Sequence, residues 1–357
     1  MTEPDISAPD IAEAATREHF VHQAASCETL GSPFTADLCR ALAKILDHTT
    51  QTGRRVLNWP GHTREDALAL RLCGGLHALV LSGRDQMLAA AYPPNSTNED
   101  TLLDILPGVL RRHDRTLSIA LDSAPQTNEI ARSGMLLPGF LLIARETGLP
   151  LALHEIGSSA GLNLLFDRFH YRYGDGEFGD PTSPVRLVPE TLARPVPVDG
   201  VVDVVARNGS DIAPINTENS TDRLRLRSYV WADQAVRLQR LDAAIGLAGT
   251  APFALEKADA ASFLRKRLAT RREGEAFVLF HSIVWQYLPA ATKASIVGDL
   301  GEAGFAASKA APIAWLRMEP LATTDKHAML SLTKWPGGGT RHLARCDYHG
   351  RWIEWIG

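Results

Sequence analysis

The stretch LALHEIGSSAGLNLLFDRF, residues 151–169, constrains the fold of this chain more than any other. An apolar run closes on Glu155, five small residues follow from Gly157 to Gly161, and an amphipathic segment resumes at Leu162. This pattern reads as strand, tight loop, helix. Gly157 and Gly161 bracket Ser158, Ser159 and Ala160, so the main chain there can take positive φ and a ligand can approach it closely. A helix over residues 162–169 would turn its unpaired N–H groups toward the loop. Glu155 would face a ligand's amine or hydroxyls in the crevice at the strand's C-terminal end.

From this strand onward, apolar runs alternate with helical periodicity. Residues 201–206 lead toward Asp211, a short run precedes Asp259, and residues 277–280 end at His281 and Ser282. A further run, APIAWLRMEP, is followed by three alternating stretches separated by Gly-rich or Tyr-His-Gly turns. The alternation predicts an α/β fold with a mostly parallel sheet and antiparallel strands at the C-terminal end. No convincing strand precedes Pro150, so residues 1–118 are predicted to form an all-helical N-terminal or cap domain and residues 119–357 the sheet domain. Alternation around Gly174-Asp175-Gly176 predicts a β-hairpin insertion near residues 170–190, serving as a lid or as surface decoration.

Composition narrows the class of partner. The formal charge of −4 supplies no global basic field for nucleic acid. No run approaches the roughly 20 apolar residues of a membrane span, and the acidic N-terminal segment lacks the pattern of a signal peptide. Four widely spaced cysteines fit a reduced, cytoplasmic setting. The twelve histidines show no H-E-x-x-H or paired Cys/His spacing, so no metal is expected. A small-molecule substrate is the expected partner, and the sequence sets no oligomeric state.

Written as E-x-G-x-x-x-G, with Glu155, Gly157 and Gly161, the anchoring stretch resembles the first motif of class I methyltransferases, and the order of the later elements resembles their plan. The resemblance implies a Rossmann-like methyltransferase-type sheet and S-adenosylmethionine as cofactor. It implies that Glu155, Gly157 and Gly161 surround the methionine portion, with Ser158 and Ser159 of the same loop also binding the cofactor. Asp211 would then hold the ribose, and Asp259 with Ala260 would lie beside the adenine. His281 and Ser282 match the strand end where substrate and methyl group meet. His281 is the first candidate base because imidazole titrates near neutral pH, with Tyr287 and Glu129 behind it. Gln126, Thr127, Asn128 and Arg132, together with Trp285, are candidates for contacting the substrate or for closing over it. The chain departs from that pattern at Ser159, where a middle glycine is common, and at Asp211, which lies far beyond Gly161.

Written as G-x-S-x-G, residues 157–161 resemble instead the nucleophile elbow of an α/β-hydrolase, with Ser159, Asp259 and His281 in triad order. Such hydrolases place strands before the elbow, where this chain offers helices. A third expectation is a protein that binds S-adenosylmethionine or a related nucleoside without catalysis. Across the whole chain, QTNEIARS, EIGSSAGLNLLFDR, VWADQ and HSIVWQYL resemble the uncharacterised bacterial family catalogued as domain of unknown function 2332, from about residue 16 onward.

Overall fold

The computed structural model describes residues 8–322 and 324–357, with side chains from residue 12 onward. Residues 1–7, part of the segment read above as no signal peptide, lie outside the described residues. The chain divides into two compact units, one reaching to Thr127 and including Asn219–Leu238, the other comprising Asn128–Glu218 and Gln239–Gly357.

The first unit begins with helices α1 (Ala8–Thr29), α2 (Pro33–Ile45), α3 (Gln51–Leu57), α4 (Leu68–Leu81), α5 (Gln86–Ala90), α6 (Glu99–Arg112) and α7 (Asp114–Ala120). Their starts follow from capping chemistry. Thr50, Asp85 and Asn98 accept the N–H groups of Gly53, Leu88 and Thr101 and so satisfy donors that the first turn leaves open. Apolar residues at helical spacing, among them Phe20, Leu42, Leu72, Leu76 and Leu106, meet in one interior.

The second unit opens with α8 (Ser133–Thr147), which stops where Gly148 takes φ +64°. Next come β1 (Leu151–Ile156), β2 (His170–Tyr173), β3 (Gly176–Phe178), β4 (Arg186–Leu187), β5 (Glu190–Leu192) and β6 (Val204–Asp211). Helix α9 (Ser220–Ser228) falls in the first unit, and α10 (Ala235–Ala248) begins there and continues into the second. The remainder runs β7 (Ala254–Lys257), α11 (Ala260–Leu268), β8 (Ala276–Ser282), α12 (Ala290–Phe305), β9 (Ile313–Glu319), β10 (Ala328–Trp335), β11 (Thr340–Cys346) and β12 (Trp352–Trp355).

Nine strands form one sheet in the order β7-β6-β1-β8-β9-β10-β11-β12-β5, and β3-β2-β4 form a small second sheet. Neighbours from β7 to β9 are parallel; β10, β11 and β12 continue as an antiparallel meander, and β5 pairs parallel to β12. The fold is therefore α/β with a large, mostly parallel sheet. Burial on both faces explains the unbroken apolar runs at its centre, since every residue of β1 and all of β8 but its last are buried. On one face Phe140 of α8 meets Phe280 edge-on at 5.1 Å, and a Cβ on Gly139 would lie 2.5 Å from Leu316, so glycine lets that helix sit close. On the other face α11 and α12 cover Phe277, Leu279, Ile313 and Trp315.

Candidate functional site

β1 lies at the middle of the parallel strands, with β6 on one side and β8 on the other. In an open α/β sheet the crevice that takes ligands opens at such a reversal of strand order, beyond the C-terminal strand ends. Here β1 delivers Glu155 and the glycine loop, β6 delivers Asp211, and β8 delivers His281 and Ser282.

The loop takes left-handed backbone at Gly157 (φ +66°), Ser159 (φ +53°) and Gly161 (φ +71°). Glycine bears this without strain; serine does so at some cost. The conformation is held by its neighbours. Asp211 accepts the Ser159 N–H at 2.9 Å with one carboxylate oxygen and the Ala213 N–H at 2.9 Å with the other. The Ser158 N–H and hydroxyl both donate to the Ser210 carbonyl, at 3.0 and 3.1 Å. A Cβ on Gly157 would stand 2.3 Å from Val284 Cγ2, so the turn after β8 packs directly on this glycine.

The segment after the loop differs from the α-helix expected over residues 162–169. It is a 3-10 helix, Leu162–Arg168, kinked at Leu165. Polar side chains from elsewhere claim its donors and its own polar groups. Asn128 Oδ1 accepts the Leu162 N–H at 3.0 Å, Asn163 is buried and accepts the Ser133 hydroxyl at 2.7 Å, and Arg207 forms a bidentate pair with Asp167. The first N–H of this helix is thus spent on protein rather than turned toward a ligand.

Glu155 is buried, and its Oε2 has no hydrogen-bond partner. Burial, reinforced by the charge of Asp211, pushes its carboxyl well above the usual carboxylate range, while Arg132 draws it back. The folded protein then holds this proton at pH values where the unfolded chain has released it. Stability contributed at Glu155 is accordingly full below the unfolded value of about 4.3 and is lost as pH rises toward the folded value, by about 1.4 kcal/mol per pH unit. Glu155→Gln, which never ionises, is expected to gain stability relative to the parent between pH 4 and pH 7. Urea midpoints at the two pH values test this; an equal gap at both would show that Glu155 ionises freely in the fold.

His281 is fully buried. Its Nε2 accepts the indole N–H of Trp315 at 3.1 Å, and since an indole only donates, the ring proton lies on Nδ1. Nδ1 donates to Glu319 Oε1 at 2.7 Å. Both ring nitrogens are therefore engaged, and Trp285 stacks on the ring at 5.3 Å. The same Glu319 oxygen accepts the N–H groups of Val284 and Trp285 at 3.0 and 3.2 Å. Between Ser282 and Val284, Ile283 is held at φ +53°, an outlier for a β-branched residue.

A family model described as an uncharacterized protein conserved in bacteria, DUF2332, matches residues 17–355. The chain belongs to this family. No curated protein and no solved structure matches it.

In this DUF2332 chain the residues singled out from sequence fall into distinct settings. Glu155, Gly157, Ser158, Ser159, Gly161 and Asp211 form one hydrogen-bonded or packed group, and Ser282 joins it through the Val284 turn. Asn128 and Glu129 lie beside that group: Glu129 caps the 3-10 helix Ile130–Arg132 through the Ala131 N–H at 3.1 Å, and Arg240 lies 3.8 Å from the same carboxylate oxygen. Arg132 donates to the carbonyls of Tyr348 and Ser282 at 3.0 and 3.4 Å. Asp259 is an exposed helix cap; the N–H and hydroxyl of Ser262 hold its carboxyl below the usual range, and Ala260 begins α11. Tyr287 is exposed on the short 3-10 helix Trp285–Tyr287. Gln126 and Thr127 belong to the first unit.

Sequence reasoning gave no role to Glu319, Arg240, Asn163 or Ile283; Asn163 and Ile283 lie inside quoted stretches, but nothing in their residue type marked them. Among the described residues no group of three or more His, Cys, Asp or Glu is arranged to hold a metal, and no helix is long and apolar enough to cross a membrane.

Proposed function

We propose that the second unit binds S-adenosylmethionine, or a closely related nucleoside, at the C-terminal ends of β1, β6, β7 and β8 and transfers a methyl group to a small molecule. One observation carries this reading. The parallel strands run β7-β6-β1-β8-β9 with an acid at or just beyond the end of each of the first three, Asp259, Asp211 and Glu155, and a glycine loop at the central one. That order resembles the Rossmann-like class I methyltransferase plan, and the crevice at its reversal is where such sheets take ligands.

The residues present fit the cofactor. Glu155 Oε2 and Ser159 Oγ are buried without partners, which suits a ligand bringing an ammonium group and a further polar atom. Asp211, whose carboxylate accepts the Ser159 and Ala213 N–H groups, stands at the end of β6, where this reading puts the ribose hydroxyls. When bound, the cofactor would supply an electrophilic methyl; the chain's own part is to orient it and exclude water. The hydrolase alternative draws less support. Asp259 is bonded within its own helix start, and His281 to Glu319 and Trp315, so Ser159, Asp259 and His281 share no triad hydrogen bond.

Calorimetric titration of the purified protein with S-adenosylhomocysteine tests the reading, alongside fluorophosphonate labelling of Ser159. The expected result is saturable binding, weakened by about tenfold or more in Glu155→Gln because a charge-assisted bond to the ammonium is lost. Absence of binding together with stoichiometric labelling that disappears in Ser159→Ala would assign the site to a serine hydrolase instead.

A further inference from the structure

Glu319 ends β9 beside the C-terminal end of β8, where Ser282 pairs with Met318 and where the methyltransferase reading puts the methyl acceptor. Its two oxygens live differently. Oε1 accepts three donors, from His281 Nδ1 and from the Val284 and Trp285 main chain. Oε2 is buried and accepts none. A carboxylate oxygen left without a donor inside a protein is costly, and the cost is relieved by a cation or a hydrogen-bond donor.

The surrounding turn sharpens what that donor is. Ile283 N–H is spent on the Met318 carbonyl, and those of Val284 and Trp285 on Glu319, so the main chain from Ile283 to Trp285 offers no N–H to an anion. The Ser282 carbonyl is engaged by Arg132. Holding Ile283 in the left-handed region costs about 1–3 kcal/mol, and strain of this kind persists where its surroundings enforce it and gathers at ligand sites. Across β8, Glu155 Oε2 is a second buried carboxyl oxygen without a partner. The position this turn leaves open is an acceptor, Glu319 Oε2. The side chains from Ser282 to Trp285 are half-buried, and Tyr287 is exposed.

We propose that Glu319 Oε2 binds the ammonium group of the methyl acceptor, making that acceptor an amine. The word acceptor rests on the methyltransferase reading; the ammonium site rests on Glu319 alone.

The test uses the full chain with nitrogen-15 at the tryptophan indoles, the Trp285 resonance being assigned from Trp285→Phe. Benzylammonium, benzyl alcohol and benzoate are titrated in turn, three probes of one shape and different charge. Benzylammonium is expected to shift the Trp285 resonance saturably and the other two are not. Glu319→Gln retains an oxygen for the three existing donors but not the charge, and should raise the half-saturating benzylammonium concentration by about tenfold or more while S-adenosylhomocysteine affinity changes by less than about twofold. Benzoate or benzyl alcohol binding as tightly as benzylammonium, no response to benzylammonium, or an unchanged response in a folded Glu319→Gln would each overturn the proposal. The comparison of the three probes on the parent needs no variant. A parent that binds benzylammonium but not S-adenosylhomocysteine would retain the ammonium site and remove the methyltransferase reading.

Discussion

Gly157→Ala is expected to lower the unfolding free energy by about 2–5 kcal/mol, the largest effect of any single methyl added at the glycine loop. Two costs combine. An L residue at φ +66° loses about 1–2 kcal/mol against glycine. The new Cβ also falls 2.3 Å from Val284 Cγ2 and 2.8 Å from Val284 Cβ, and relieving such an overlap in a packed site costs about 1–3 kcal/mol. The two parts separate in a double-mutant cycle. Val284→Ala removes both γ methyls, including the nearest contact, but leaves Cβ at 2.8 Å, so Gly157→Ala/Val284→Ala should retain the backbone part and a smaller overlap, and the cycle should show a favourable coupling of about 1–2 kcal/mol. Urea midpoints at constant denaturant slope give all four corners. Strict additivity would mean that the β8 turn does not rest on Gly157, and the link between Glu319 and the glycine loop would be lost with it. Ligand affinity follows the same logic, since a loop displaced by the new methyl no longer presents Ser159 and Glu155 together.

What the sequence revealed and what it concealed follow one physical division. Features written within a few residues were legible: the apolar run of β1 ending at Glu155, the punctuation by Gly157 and Gly161, and the buried run of β8. These gave the α/β architecture, because strands covered on both faces lack the alternation that would blur them with surface elements. Features fixed by distant partners were not legible. Residues 162–168 carry helical periodicity, but Asn128, Ser133 and Arg207 take up their polar groups and tighten them into a 3-10 helix. Strands β4 and β5 are too short to show a period. Ile283 stands in a backbone region that its type avoids, so no propensity rule points there. Glu319 lies 38 positions from His281 and is tied to it only by the adjacency of β8 and β9. Asp259 shows the reverse case. The methyltransferase resemblance gives it a place beside the adenine, and in the fold its carboxylate caps α11.

His281→Ala is expected to destabilise the second unit by about 3–5 kcal/mol, the range for stripping a buried charged group of its donor and opening a cavity beside it. The loss has three identifiable parts: Glu319 Oε1 forfeits the bond from Nδ1, the Trp315 indole N–H forfeits its acceptor, and Trp285 loses the ring it stacks on. The partner substitution distinguishes them. Without His281 a neutral amide is cheaper to leave short of a donor than a carboxylate, so His281→Ala/Glu319→Gln should recover about 1 kcal/mol of the loss. Glu319→Ala should behave differently, because it also frees the N–H groups of Val284 and Trp285 and lets Ile283 relax out of the left-handed region. The diagnostic comparison is therefore between the two residues. His281→Ala is expected to weaken the fold while leaving the turn able to bind benzylammonium in the folded fraction, whereas Glu319→Ala should abolish that binding even where the fold survives. Equal loss of binding from both, measured at a temperature where both are folded, would make the histidine part of the ligand site and would reassign it from a structural partner of Glu319 to a group that acts on the substrate.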